Sequence, residues 1–122
     1  MATDPVAIDL TDDEREVLQR GLAEWGGPAG CSDALASVMG FRDKADLLDQ
    51  CERLHSALIS GDPLPGADWR KALRATEIVF VSDEFGSGKD WSATTGFSDE
   101  ETIRLLRKLQ RKVADAFNGR DT

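Results

Sequence analysis

The side chains of this sequence that offer acid–base, nucleophilic or metal-binding chemistry are one histidine, two cysteines and many carboxylates. Cys51 and His55 are one helical turn apart, and Cys31 could approach them, so that a carboxylate would complete a zinc site. The segment around Cys51 and His55 is apolar, however, and it lacks the CxxC or HxxxH pairs that structural zinc sites normally show. We therefore expect two reduced core cysteines, no metal site and no cofactor. A disulfide between Cys31 and Cys51 is the alternative, although a core of this size does not require one.

Catalytic constellations are equally sparse. His55 is the only residue that could act as a histidine general base, and no motif places a nucleophile beside it. Asp83 and Asp90 could form an acid–base carboxylate pair, but a chain with 23 acids brings such pairs together by chance. Because no motif combines a nucleophile, a base and an orienting group, the sequence predicts no catalytic residue and favours a role other than catalysis.

The segment Gly86-Ser87-Gly88-Lys89-Asp90 resembles part of a phosphate-binding loop only superficially. A phosphate-binding loop has a glycine five positions before the second glycine, where this chain has Asp83. It also has serine or threonine after the lysine to hold magnesium, where this chain has Asp90. Since both departures place a carboxylate near the phosphates, nucleotide binding is not predicted.

The stretch 83–97 is predicted to be one long loop, because it combines three glycines with several small polar residues. Loops longer than about 12 residues are uncommon in compact domains and are often functional. The candidate partner-binding residues of this loop are Asp83, Glu84, Lys89, Asp90 and Trp91. Trp91 is either a binding anchor, as tryptophan often is at interfaces, or part of a lid that folds back onto the core with Phe97. The second interpretation is favoured because large aromatic side chains normally become buried.

A cluster of cations on the last predicted helix is the second candidate site. Five basic residues fall within roughly 140° of arc on a helix that turns 100° per residue. They are Arg104, Arg107, Lys108, Arg111 and Lys112. This basic helix face could meet nucleic acid, an acidic partner or a membrane surface. The favoured interpretation is a solvated outer face with cations near the negative end of the helix dipole.

The charge distribution points to partners of two kinds. The net charge is −8, which argues against general affinity for nucleic acid or anionic lipid. Residues 1–60 have a balance of −7, residues 61–102 of −5 and residues 103–122 of +4. The sequence therefore describes an acidic body with a basic terminal helix.

The 122 residues, with 40% hydrophobic and 31% charged residues, are typical of one globular domain. Residues 1–10 read as a loose N-terminal tail, which Ile8 and Leu10 could pin down, and residues 11–119 as a single helical domain. Helices are predicted from the capping box at Thr11 to Glu24–Trp25, over 32–39, over 43–60, from Asp68 through 78–81, and from the capping box at Ser98 to about residue 117. The segment 78–81 could instead be a strand, but no second strand is evident to pair with it.

These elements predict an all-α fold, a bundle of four to five helices with one long loop before the C-terminal helix. Trp25, Trp69 and Trp91 would support its core, and the fourth helix would be innermost. The buried stripe of the last helix would contain Ile103, Leu106, Leu109, Val113 and Phe117.

The favoured function is a small acidic protein-interaction module of the regulator, antitoxin, immunity or inhibitor type that docks on a basic protein surface. One alternative is a nucleic-acid or nucleoid-associated protein that uses the basic helix face. Another is a small ligand-binding domain or enzyme that uses the 83–97 loop. Self-association stays open, and a cytoplasmic location is expected because no signal peptide or membrane span is recognisable.

Overall fold

A computed structural model describes residues 5–26, 31–82 and 91–118 and confirms the all-α fold class. In these residues the helices are α1 (Asp12–Glu24), α2 (Asp33–Val38), α3 (Lys44–Ser60), α4 (Gly66–Val81), α5 (Trp91–Thr95) and α6 (Asp99–Asn118). Four of these helices, α1, α3, α4 and α6, are substantial in length. Two short strands, β1 (Pro5–Val6) and β2 (Leu64–Pro65), form an antiparallel pair in which Val6 lies opposite Leu64.

Local capping chemistry fixes the starts of α1 and α6, as the sequence predicts. The Thr11 hydroxyl accepts from the Glu14 backbone N–H at 3.1 Å, and Glu14 Oε1 accepts from the Thr11 N–H at 2.8 Å. Ser98 and Glu101 make the same reciprocal pair at 3.1 and 3.2 Å. Each box satisfies two backbone donors that would otherwise be unpaired at a helix start.

The start of α4 differs from the prediction. The helix begins at Gly66 with Pro65 as its N-cap, so Asp68 is not the capping residue. Asp68 instead accepts from both terminal nitrogens of Arg53 on α3, at 2.9 and 3.0 Å. This bidentate pair is stronger than a single hydrogen bond, and we attribute the displaced cap to this tertiary contact.

The helices α1 and α4 form the centre of the bundle. α1 packs against α3, α4 and α6, and α4 packs against α1, α3 and α6. The fourth helix therefore shares the innermost position with the first. Their close approach depends on Gly21, since a Cβ built there would lie 2.6 Å from Thr76 Cγ2 and 2.7 Å from Thr76 Cβ.

All three tryptophans are buried and their indole N–H groups are bonded. Trp25 and Trp69 are each 3% exposed, and Trp91 is fully buried. Trp25 donates to the Ala75 carbonyl at 3.0 Å, and Trp69 to the Val6 carbonyl at 2.8 Å. The predicted support of the core by Trp25 and Trp69 is therefore confirmed, and each ring also ties two distant segments together.

The N-terminal segment is attached to the bundle from residue 5 onward. β1 pairs with β2, Trp69 binds the Val6 carbonyl, and Val6, Ile8 and Leu10 pack against the core. The predicted pinning by Ile8 and Leu10 is thus present, and the loose tail does not include residues 5–10. Residues 1–4 lie outside the described part of the chain.

Two further predictions concern the second half of the chain. Residues 78–81 are helical, as favoured, because they complete α4. The predicted loop 83–97 contains the one-turn helix α5 at 91–95, and residues 83–90 of it lie outside the described segments. Within those segments no helix is long and apolar enough to cross a membrane.

Candidate functional site

The described end of the 83–97 loop is anchored in the core. Trp91 Nε1 donates to Thr102 Oγ1 at 2.7 Å, and the ring packs edge-on against Phe80 with 5.5 Å between centroids. Thr95 Oγ1 donates to the Trp91 carbonyl at 2.7 Å and accepts from the Phe97 N–H at 3.2 Å. Trp91 is therefore arranged as an internal support between α4 and α6, and its ring is not presented to solvent. The other loop candidates, Asp83, Glu84, Lys89 and Asp90, lie outside the described residues.

Four of the five cations of the basic helix face are exposed on α6: Arg104, Arg107, Lys108 and Arg111. Arg107 donates to Gln110 Oε1 at 3.2 Å. In the described part of the chain none of the four forms a salt bridge, so their charge faces solvent. This surface is referred to below as the basic strip.

Lys112, the fifth predicted member, has a different role. Its Nζ donates to Glu14 Oε1 at 2.5 Å and to the Asp9 carbonyl at 2.7 Å. Glu14 is fully buried, and its second carboxylate oxygen has no hydrogen-bond partner among the described residues. Burial alone would raise the pKa of Glu14, but hydrogen bonds from Lys112 and from Thr11 outweigh it and lower that pKa below its ordinary value. Lys112 is therefore a structural cation that joins α6 to α1.

A groove of about 220 Å³ lies between the exposed edges of α4 and α6, beside the basic strip. Its apolar lining is Phe80 and Val81 from α4 with Ile103 and Leu106 from α6. Val81 is 74% exposed and Ile103 is 52% exposed. The prediction that Ile103 belongs to the buried stripe is therefore wrong, because α4 covers the Leu106 side of α6 and leaves Ile103 at the edge.

Polar side chains span the same groove. Gln110 Nε2 donates to Glu77 Oε2 at 2.5 Å, while Gln110 Oε1 accepts from Arg107. Glu77, Gln110 and Arg107 thus form a chain of hydrogen bonds from α4 to the basic strip. The α6 side of the groove is therefore bordered by the positive charge of the basic strip. The sequence could not show this arrangement, because it depends on how α4 and α6 pack.

A surface of opposite sign lies on α3 and the start of α1. Asp49, Glu52, Ser56 and Ile59 are exposed along α3, and Ile59 is 63% exposed. Arg15 on α1 donates to the Leu58 carbonyl at 2.9 Å, so the first turn of α1 lies beside the last turn of α3. The exposed Asp12 extends the negative charge there. We refer to Asp12, Asp49, Glu52, Ser56 and Ile59 as the acidic surface.

The nearby arginines do not neutralise the acidic surface, because they serve internal contacts. Arg15 binds the Leu58 carbonyl, and Arg53 binds Asp68 at 2.9 Å. In residues 5–26, 31–82 and 91–118 no salt bridge reaches Asp12, Asp49 or Glu52. Their carboxylates are available to a partner.

The histidine and cysteine candidates do not converge on a reactive site in this structure. Cys51 is 3% exposed, and burial, together with the neighbouring Cys31, raises its pKa to about 12. Burial also raises the pKa of the half-buried Cys31, and neither cysteine is in a disulfide. Among the described residues no hydrogen bond reaches the half-buried His55, and no group of three His, Cys, Asp or Glu side chains is placed to hold a metal ion.

Comparisons with protein-family models, with curated proteins and with solved structures found no match for this chain. The surfaces just described are therefore the basis for inferring function. Sequence reasoning identified the basic strip but missed the exposure of Ile59 and Ile103. Ile59 lies at the edge of the buried stripe of α3, which consists of Leu47, Cys51, Leu54 and Leu58, and helix periodicity does not separate buried from exposed positions at such an edge.

Proposed function

We propose that this protein is a small interaction module whose acidic surface docks on a basic surface of another protein. The observation that supports this most directly is the pairing of unneutralised carboxylates at Asp49 and Glu52 with the exposed Ile59 on the same helix face. Residues 49, 52, 56 and 59 are spaced by three or four and therefore lie along one side of α3.

The two kinds of side chain on the acidic surface would have separate roles. The carboxylates attract a basic partner during diffusion and fix its orientation, which mainly affects the association rate. Ile59 offers apolar area that is removed from water in the complex and slows dissociation. A regulator, antitoxin, immunity protein or inhibitor would use such a surface to cover a basic site on its target.

The surface is also preorganised. Its residues lie on two helices that are held together by the Arg15–Leu58 contact and by packing of α1 on α3. Binding therefore requires little ordering of the backbone, which favours affinity from a small contact area.

Affinity capture from native lysate with two matched pairs of variants tests the proposal. Glu52→Lys should reduce recovery of a basic partner about tenfold or more, whereas Asp115→Lys, which makes the same charge change on α6, should not. Ile59→Glu should also reduce recovery, whereas Val38→Glu, at a side chain that is 79% exposed on α2, should not.

Two results would overturn the proposal. One is the absence of any captured basic protein at low as well as high ionic strength. The other is equal loss of the captured protein with Glu52→Lys and Asp115→Lys, because net charge alone would then explain the binding.

A further inference from the structure

The α4–α6 groove and the basic strip together form a second surface, distinct from the acidic surface. We propose that it binds an acidic amphipathic helix of another protein, with the apolar side chains of that helix in the groove and its carboxylates on the basic strip. The module would then have two docking faces of opposite charge.

The groove has exposed apolar side chains on both walls. Val81 and Ile103 stand on opposite walls and are 74% and 52% exposed, with Phe80 and Leu106 beneath them. Two helix walls with an apolar floor match the way an amphipathic helix lays its i, i+3 and i+4 side chains into a groove.

The α6 wall carries positive charge that is complementary to an acidic helix. On a helix that turns 100° per residue, Arg107 lies only about 40° beyond Ile103, and Arg111 and Arg104 lie about 40° and 60° further round. All three arginines are exposed, and no described acid forms a salt bridge with them. An occupant of the groove would therefore place its flanking side chains over guanidinium groups, which bind carboxylates in a bidentate manner.

The acids near the groove define how the occupant would lie. Glu77 on the α4 wall is engaged by the Gln110 amide. The exposed Glu100 lies one turn before Arg104, and Glu101 interacts electrostatically with Arg104. The carboxylates of the occupant are therefore expected between Arg104 and Arg111, a span of about 10 Å along α6, and away from Glu100.

Protein is favoured over nucleic acid as the occupant because the basic strip adjoins apolar walls. A phosphate backbone would contact the arginines but would leave Val81 and Ile103 in water, and Lys112 is withdrawn from the face by Glu14. The molecule as a whole, with its net charge of −8, would also repel a long polyanion more strongly than a short acidic helix.

The test uses the full chain and a fluorescent synthetic helix of about 14 residues with leucine at i, i+3, i+4 and i+7 and glutamate on the flanks. A matched peptide with lysine for glutamate is the control. Fluorescence anisotropy should show binding of the glutamate peptide that weakens with salt, and binding at least about tenfold weaker for the lysine peptide.

Variants of the protein separate the apolar and charged contributions. Val81→Glu and Ile103→Glu, on two different helices, should each weaken the glutamate peptide about tenfold or more, and Arg107→Glu should both weaken it and reduce its salt dependence. Val38→Glu and Lys44→Glu are exposed controls that should leave binding within about twofold, and a thermal melt of each variant verifies that it is folded.

Several results would overturn the proposal. They are the absence of binding at low salt, equal binding of the two peptides, and unchanged binding of Val81→Glu and Ile103→Glu. Tighter binding of a single-stranded oligonucleotide that depends on Arg107 but not on Val81 would assign the strip to nucleic acid. A dimer in sedimentation that Ile103→Glu dissociates would assign the groove to a second copy of the chain.

Discussion

The substitution Gly21→Ala tests the close packing of α1 on α4. The added methyl group would lie 2.6 Å from Thr76 Cγ2 and 2.7 Å from Thr76 Cβ, and closer still to Thr76 Oγ1. A Cβ this close to another helix cannot be accommodated by rotating one side chain, because the Thr76 Cβ itself is in contact. The two central helices must therefore move apart.

The expected change in unfolding free energy is the balance of two opposing effects. Overpacking a well-filled core destabilises by about 1–3 kcal/mol, and three simultaneous contacts place this case near the upper end of that range. Alanine in place of glycine inside a helix stabilises by about 1 kcal/mol. The expected net loss is about 2 kcal/mol of unfolding free energy, which lowers the melting temperature of a domain of this size by roughly 8 °C.

Thermal and urea unfolding followed by circular dichroism measure the change. Gly26→Ala is the control, because among the described residues a Cβ there would have only the Ala23 carbonyl as a neighbour, at 3.7 Å. The stability of this variant should stay close to that of the wild type. Thr76→Ala should restore part of the stability of Gly21→Ala, since it removes two of the three crowded atoms, and Thr76→Gly should relieve the remaining contact. If Gly21→Ala melts at or above the wild-type temperature, or if the Thr76 changes do not couple to it, the inferred helix contact is wrong.

Four further predictions concern the buried polar, cysteine and aromatic side chains. Trp91→Ala should reduce the unfolding free energy by about 3–5 kcal/mol, because it empties the space between α4 and α6. Lys112→Met should destabilise by about 3 kcal/mol, because it leaves the charge of Glu14 buried without its cation. Since the pKa of Glu14 is lowered by folding, its contribution is present above its ordinary value of 4.5 and is lost as the pH falls through the lowered value. Alkylation at pH 8 should modify Cys31 before Cys51, whose pKa is about 12.

Each of these has a result that would contradict it. Unchanged urea midpoints for Trp91→Ala or Lys112→Met would show that the side chain does not support the core. An acid-unfolding profile of Glu14→Gln that matches the wild type would remove the pH argument. Mass spectrometry that finds Cys51 alkylated first would contradict its burial.

Features that depend on neighbouring residues were predictable from the sequence. The capping boxes at Thr11 and Ser98 are complete within four residues, so the starts of α1 and α6 follow from local chemistry alone. The helical state of residues 78–81 was favoured only by the lack of an evident second strand, because a short apolar run does not by itself distinguish helix from strand. The burial of Trp25 and Trp69 follows from side-chain size.

Features that depend on distant partners were not predictable. Asp68 is of a residue type that is favoured at N-caps, but Arg53 binds it from another helix. Lys112 falls on the basic side of its helix by angle, yet Glu14 draws it inward from 98 positions away in the chain. Ile103 has the spacing of a core residue and becomes exposed because α4 packs to one side of it. The candidate docking surfaces consist largely of such outcomes of packing, so only their charges were visible in advance.

The ion pair between Glu14 and Lys112 has a consequence for how the chain folds as it is synthesised. The carboxylate of Glu14 leaves the ribosome 98 residues ahead of its cation, which at typical elongation rates is an interval of about 5–20 s. The carboxylate cannot be buried without its cation except at a large free-energy cost, so α1 cannot take its final place until α6 has emerged. The bundle is therefore expected to close late and in one cooperative step, and a nascent chain that stalls before residue 112 would keep the core side of α1 open to chaperones.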